Sequence, residues 1–336
     1  MSVSLGPFHF VSAAGTIEDL AAGRERTDGL AALDERLPQP NSLRRAGEDT
    51  KTAVLAAAEL LRAGGIAVSD RVGLYVGQQQ IALDYCSRFI QSSYREGPRM
   101  ASPLFFSESV ANNVATHASL TLGLKTLAQT FIGTRAAGIQ AVIAAAEDVE
   151  SGLVDIGLVL VLGVATSVSR EAYQAVFHPL RRQRPPEVKF LRGAAAMLVR
   201  RDAPGQPRIT FTGVRVMGFG PRAQLNVVGQ LWTEADVRMA DGTRVLDSTL
   251  VMARPRSLGV IRRIGPTLPF GPELGECYAL DPFVRLLVDG VRHPGSEGRA
   301  VLCLGEEGTA AMIALDGPGR HIAVPQGGTA GASRTS

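Results

Sequence analysis

Cysteine is scarce in this sequence, with three residues in 336, at Cys86, Cys277 and Cys303. Their separations form neither a disulfide framework nor a metal-ligand spacing. The five histidines (His9, His117, His178, His293 and His321) do not complete one either. No metal or other cofactor is expected, and a reducing compartment, the cytoplasm, is the natural setting. Charge of one sign is equally short: 35 Lys and Arg against 32 Asp and Glu leave a net +3. With aromatics at 5%, no aromatic-studded basic patch arises, which removes nucleic acid as a partner. Long apolar runs are missing too. The longest, around Ile156 to Ala165, is about half of the roughly 20 residues that a membrane span requires. The opening MSVSLGPFHFVSAAG has no basic residue ahead of its apolar ones, so neither a membrane segment nor a secretory signal is expected.

What is present is a composition 45% hydrophobic and 20% charged, enough for one large domain or two fused halves. The most informative stretch runs from Ser102 to Gly163. A Ser-Pro and paired aromatics, Phe105 and Phe106, lead into a small-residue helix carrying Asn112. An apolar run from Leu127 to Ile132 then turns through Gly133, Thr134 and Arg135 into a second helix, which stops near Ser151-Gly152. Asp155 to Gly163 is almost wholly Ile, Leu and Val, as in a strand covered on both faces.

Elsewhere, Val3 to Ala14 reads as a first strand and Pro38 to Arg45 as a loop. Thr50 to Ala63 is an amphipathic helix stopped by Gly64-Gly65. Val72 to Val76 is a buried strand ending in Gly77, followed by a helix over Ile81 to Ile90 with Tyr85, Cys86 and Phe89 on or near one face. Glu171 to Phe177 reads as a short helix. Arg181, Arg182 and Arg184 beside Pro185-Pro186 form a basic patch, read first as a solvated loop and second as a dock for an acidic partner. Gly193 to Arg200 is a strand, Asp202 to Gly205 a junction, and Arg208 to Phe219 alternates again. Pro325 to Ser336 is a Gly/Ser/Thr tail that reads as disordered.

These residues resemble the β-ketoacyl synthases of fatty acid and polyketide assembly, in the thiolase-like superfamily. Ser102-Pro103-Leu104-Phe105 is similar to that family's Ser-Pro-x-Phe, and Gly123-Leu124-Lys125 to its Gly-Leu-Arg/Lys step. The resemblance implies an α/β thiolase-like fold of two similar halves, each a mixed β-sheet covered by helices, in five αβαβα layers. The halves are expected at 1–202 and 207–325, the second shortened, with 326–336 as the tail.

The family's chemistry rests on a Cys in Thr-Ala-Cys at the head of a buried helix and on two His residues. Read forward without gaps, the Cys position falls on Arg135. The strand-like LDSTLVMARPRS puts Arg254 at the first His position and ELGECYALDPF puts Glu276 at the second, with the segment between them shortened; a gap-free count back from Glu276 puts a family Lys on Gly271. Leu304 to Thr309 resembles the gating loop, with Glu306 for its Phe and Ala310 for its Asn. An always-protonated guanidinium is no nucleophile, and a carboxylate at the second His position would repel a developing enolate. Arg135-Ala136-Ala137-Gly138 resembles the Gln-Ala-Gly-Gly of the chain-length factors, the non-catalytic partners of type II polyketide synthases.

The resemblance therefore implies no intrinsic activity, pairing with an active ketosynthase as a heterodimer, and work with an acyl carrier protein. The expected dimer strand is Lys125 to Ile132, through Lys125, Leu127, Gln129 and Phe131. Tyr85, Cys86, Phe89, Phe105, Phe106 and Asn112 are the candidates for the acyl tunnel and interface. His117, on the Asn112 helix among apolar neighbours, is expected to be structural. Arg135 requires an anionic partner, and Glu276 is expected to provide it in a buried ion pair. Two other readings stand beside this one. One is an acyltransferase or hydrolase with its nucleophile moved to Cys277 or Cys86; the other is a scaffolding homodimer.

Overall fold

The computed structural model describes residues 3–24, 26, 29–30, 33–67, 71–79, 82–164, 166–171, 189–201, 203–216, 221–239, 242–248, 276–305 and 308–317. Within them the strands are β1 (Val3–Ser12), β2 (Val72–Gln78), β3 (Leu127–Ile132), β4 (Ile156–Gly163), β5 (Gly193–Arg201), β6 (Arg208–Val216), β7 (Arg244–Asp247), β8 (Gly298–Leu304) and β9 (Thr309–Asp316). The helices are α1 (Ile17–Ala21), α2 (Leu33–Arg36), α3 (Glu48–Ala63), α4 (Leu83–Glu96), α5 (Pro103–Ser109), α6 (Asn113–Leu122), α7 (Ala137–Ser151), α8 (Pro221–Asp236) and α9 (Asp281–Arg292).

Local chemistry accounts for the boundaries. α5 starts where the Ser102 side chain accepts from the Phe105 N–H and Pro103 fills the first turn. Both α6 and α7 end on a left-handed glycine, Gly123 at φ 71° and Gly152 at φ 78°. β4 is buried from Gly157 to Gly163, as an apolar strand covered on both faces should be.

The strands form one sheet in the order β3-β2-β4-β5-β1-β6-β9-β8-β7. Moving out from the β1–β6 seam one way, β1–β5 and β5–β4 are antiparallel, then β4–β2 is parallel. Moving out the other way, β6–β9 and β9–β8 are antiparallel, then β8–β7 is parallel. The two similar halves are thus written into the topology. They are joined into one sheet rather than two, by a seam one register pair wide, Ser4 with Arg208, and a Leu5 N–H to Pro207 carbonyl bond of 2.9 Å.

The layers follow from which faces are apolar. α3 and α6 pack on the outer face of the first half-sheet with Leu74, Leu158 and Leu160. α8 covers the second with Leu231 and Trp232 against Phe211 and Leu302. α7 and α9 lie in a core shared by both halves, which joins Val161 and Met197 of the first to Val301 and Ile313 of the second. This gives the αβαβα order.

Some expectations shift. The strand expected over Lys125 to Ile132 begins at Leu127, leaving Lys125 exposed in the segment before it. The helix expected over Ile81 to Ile90 starts at Leu83 and runs on to Glu96, stopped by Gly97. His117 does not face apolar neighbours: its Nε2 lies 3.0 Å from Oε1 of the buried Glu108, which also accepts from Asn113. Most of Glu171 to Phe177, the patch at Arg181, Arg182 and Arg184, Arg254, Gly271, Glu306 and the tail lie outside the described residues. No helix among the described residues is long and apolar enough to cross a membrane.

Candidate functional site

The head of α7 is the natural place to look, because β2, β4 and α7 converge there at the carboxyl ends of the parallel strands. Arg135 stands in the turn between β3 and α7 and is only 2% exposed. Its Nη1 donates to Glu276 Oε1 at 2.5 Å, its Nε donates to the Ser248 carbonyl at 2.7 Å, and its Nη2 lies 3.4 Å from Asp281 Oδ2. The ion pair expected between Arg135 and Glu276 is therefore formed, although 141 residues separate the two in sequence.

Glu276 is presented by its backbone: its N–H donates to Lys189 O at 2.7 Å and its carbonyl accepts from Leu191 N at 2.9 Å. Its Oε1 also accepts the Tyr278 N–H at 2.7 Å. Asp281 opens α9 and takes Arg285 Nε at 2.6 Å, Arg285 Nη2 at 3.2 Å and the Ser248 hydroxyl at 2.5 Å. Two guanidiniums and two carboxylates thus share one dry cluster with no net charge.

Such a cluster persists only because it is balanced. Burial alone would lower the Arg135 pKa, but Glu276 and Asp281 outweigh it and hold the guanidinium well above its ordinary value. No accessible pH turns Arg135 into a base or a nucleophile. Cys277 is the nearest sulfur with a candidate role. Its thiol donates to Asp281 Oδ1 at 3.6 Å, and burial, then the carboxylates of Asp281 and Glu276, push its pKa well up. It remains a thiol rather than a thiolate, the opposite of what nucleophilic catalysis requires. Alkylation by iodoacetamide is accordingly expected at the half-buried Cys86, with the buried Cys277 and Cys303 labelling at least about tenfold more slowly in the folded chain, as peptide mass mapping over time would show.

The site is also closed by close packing. A methyl on Gly138, in the first turn of α7, would lie 2.6 Å from Phe283 Cε2 and 2.8 Å from Val161 Cγ1. One on Gly163 would lie 2.8 Å from the Cys277 carbonyl. The described residues leave no methyl-sized gap at either point.

The candidate tunnel residues gather elsewhere. Tyr85 and Phe89, one turn apart on α4, meet Phe105 and Phe106 of α5 with ring centroids 6.4 and 5.5 Å apart. α4 buries none of its residues fully, and Phe106, Ile90 and Tyr94 are exposed. In the single chain these aromatics make an open apolar face, not an enclosed tunnel. Cys86 is half-buried, and Asn112 is exposed immediately before α6. On β3, Leu127 and Phe131 pack on the chain's own core, and Gln129 donates to Asp148, which also accepts from Tyr75. Their side chains face inward, so the edge strand β3 turns its free backbone edge and Ala128, Thr130 and Ile132 away from the core.

Sequence reasoning did not find Ser248, Asp281 or Arg285. Only Asp281 and Arg285 left a signal, the i,i+4 spacing of opposite charges at the start of a helical pattern.

Residues 18–181 match the family model described as Beta-ketoacyl synthase, N-terminal domain. No curated protein matches the sequence. Among solved structures, the ishigamide ketosynthase/chain length factor is 18% identical with a TM-score of 0.72, over 95% of this chain and 100% of that one. A type II PKS acyl-carrier protein in complex with its ketosynthase bound to the hexaketide gives 14% identity and a TM-score of 0.72, over 94% and 99%. A β-ketoacyl synthase from Burkholderia phymatum STM815 gives 16% and 0.67, over 94% and 99%. The fold is thiolase-like. Within that fold, residues 18–181 are the part similar to the N-terminal domain of the β-ketoacyl synthases.

Proposed function

We propose that this chain is a non-catalytic ketosynthase-like subunit of the chain-length-factor kind. It pairs with an active β-ketoacyl synthase in type II polyketide or fatty-acid-like biosynthesis, works with an acyl carrier protein, and shapes the acyl tunnel of its partner. The observation that carries this reading is the locked guanidinium of Arg135 in the turn before α7, held by Glu276, Asp281 and Ser248 where the resemblance puts the nucleophile. A guanidinium held by these contacts is no nucleophile for a thioester, whereas the fold around it is kept. The open faces support the pairing: the β3 edge and the aromatic face of α4 and α5 await cover.

The test is reconstitution. The purified chain, given acyl and malonyl carrier proteins, is expected to form no carbon–carbon bond, and co-expression with the active synthase of its pathway is expected to give a heterodimer that does. Condensation by the chain alone, or recovery only as a homodimer beside an untouched synthase, would reject the proposal. In the active complex, Phe106→Ala removes the ring that meets Phe89 across the α4–α5 face. The product is expected to be longer than that of the parent complex by mass spectrometry, and Phe105→Ala should act in the same direction. Unchanged lengths in both would remove these residues from the tunnel.

A further inference from the structure

A cavity of about 150 Å³ lies under the second half of α9, far along that helix from Asp281. Phe8 of β1, Pro207, Leu286, Leu287 and Leu315 make its apolar wall, with Val291 at the mouth and Arg299 of β8 as its one charged lining residue. Space of this volume between apolar side chains is enough for a body of about six carbons.

Arg299 gives the cavity its polarity. It is 4% exposed. Its Nε donates to Asp289 Oδ2 at 3.2 Å and its Nη2 to the His293 carbonyl at 2.5 Å, while Nη1 bonds to nothing among the described residues. Asp289 is already shared: Arg244 donates to it from Nε at 3.0 Å and from Nη2 at 2.9 Å. Two guanidiniums therefore divide one carboxylate, and Arg299, the one that lines the cavity, is only partly neutralised by it. Asp316 lies between the lining residues Leu315 and Gly317, and strand alternation turns its side chain to the opposite face. A guanidinium that is 4% exposed and shares its one carboxylate is costly unless an anion meets it.

The chain leaves this space open at a cost. Gly290 sits inside α9, where glycine is about 1 kcal/mol worse than alanine. A methyl there would stand 3.9 Å from Arg299 Cζ, so a larger residue is not excluded by a clash.

We propose that this cavity is a binding site for a small carboxylate with an apolar body of about six carbons, its tail against Leu286, Leu287 and Leu315 and its carboxylate on Arg299 Nη1. The site is separate from the face offered to a partner synthase, and it stands or falls independently of the function proposed above.

Hexanoate is the probe and 1-hexanol its uncharged counterpart, each titrated into the full chain to about 10 mM, where a millimolar binder is mostly bound. Hexanoate is expected to raise the thermal unfolding midpoint, since a ligand bound only by the folded state stabilises it. Its methyl protons should show NOEs to the methyls of Leu286, Leu287 and Leu315. Gly290→Leu, which fills the cavity, and Val291→Trp, which narrows its mouth at a part-exposed position, are each expected to weaken binding more than tenfold. Either variant suffices should the other fail to fold. Hexanol should bind at least tenfold more weakly than hexanoate. Absence of both shift and NOEs, an undiminished response in a folded blocking variant, or equal affinity for hexanol would each overturn the proposal.

Discussion

Arg135→Met is expected to cost the fold about 3–5 kcal/mol, the range seen when one member of a buried ion pair is removed and its partner is left charged in a dry site. Glu276 is 0% exposed, and its Oε1 would keep only the Tyr278 N–H; Asp281 would keep Arg285 and Ser248 but lose its second cation. Glu276→Leu should cost a similar amount from the other side, because Arg135 would retain only Asp281 and the Ser248 carbonyl among the contacts described above. The double variant Arg135→Met with Glu276→Leu removes both charges and is expected to recover most of either loss, since a well-packed apolar pair of like volume can match a buried ion pair. Urea unfolding of the four proteins at pH 7 measures the coupling. Strictly additive losses would mean that the two side chains do not depend on one another. The acid limb gives an independent check. Burial would raise the Asp281 pKa, but Arg285 first and Arg135 next bring it down to about 2. A carboxylate depressed in the folded state adds stability that is complete above its unfolded value of about 3.9 and is lost as pH falls toward 2. Removing Arg135 lifts the folded value, so the variant should lose stability at a higher pH than the parent.

How far this site was legible depends on the range over which its parts interact. Arg135 was legible because a single position in a strand–turn–helix pattern carried the wrong chemistry, and Glu276 followed by the same reasoning at a second position. Asp281 and Arg285 were not, because their spacing reads as an ordinary exposed helix pair until the topology puts the start of α9 against the head of α7. Ser248 contributes through its carbonyl as well as its hydroxyl, and a backbone acceptor has no sequence signature. The same limit explains the inward set of β3. Leu127, Gln129 and Phe131 share one face of a strand, but which face meets the core is decided by α7 crossing beneath and by Asp148 reaching up to Gln129. The elements themselves were easier. α7 is bracketed by a turn and a terminal glycine, and β4 is an unbroken apolar run, so both come from local chemistry alone.

Gly77→Ala is the other substitution expected to have a large effect, and it is invisible in sequence, where Gly77 merely ends a buried strand. A methyl at Gly77 would lie 2.6 Å from Gly138 Cα, 2.8 Å from Gly138 N and 2.8 Å from the Ala137 carbonyl. All three are backbone atoms, so no rotamer change relieves the clash, and β2 and the first turn of α7 must move apart. Overpacking of this kind costs about 1–3 kcal/mol, and a clash with backbone on both sides belongs at the upper end or beyond it. The control is Gly229→Ala, inside α8 with nothing within 4 Å of the added methyl, where helix propensity predicts a gain of about 0.5–1 kcal/mol. Stability alone would not show where the strain goes, but Arg135 does. It stands two residues ahead of α7 and is held to Glu276 and Asp281 by contacts that tolerate little displacement. Opening the head of α7 should therefore expose the cluster and let iodoacetamide reach Cys277, which packs against Gly163 at the same junction. Gly77→Ala is expected to lower the unfolding midpoint and speed Cys277 alkylation at temperatures well below it, while Gly229→Ala does neither. A Gly77→Ala protein as stable as the parent, with Cys277 still protected, would mean that β2 and α7 do not approach as closely as this packing requires.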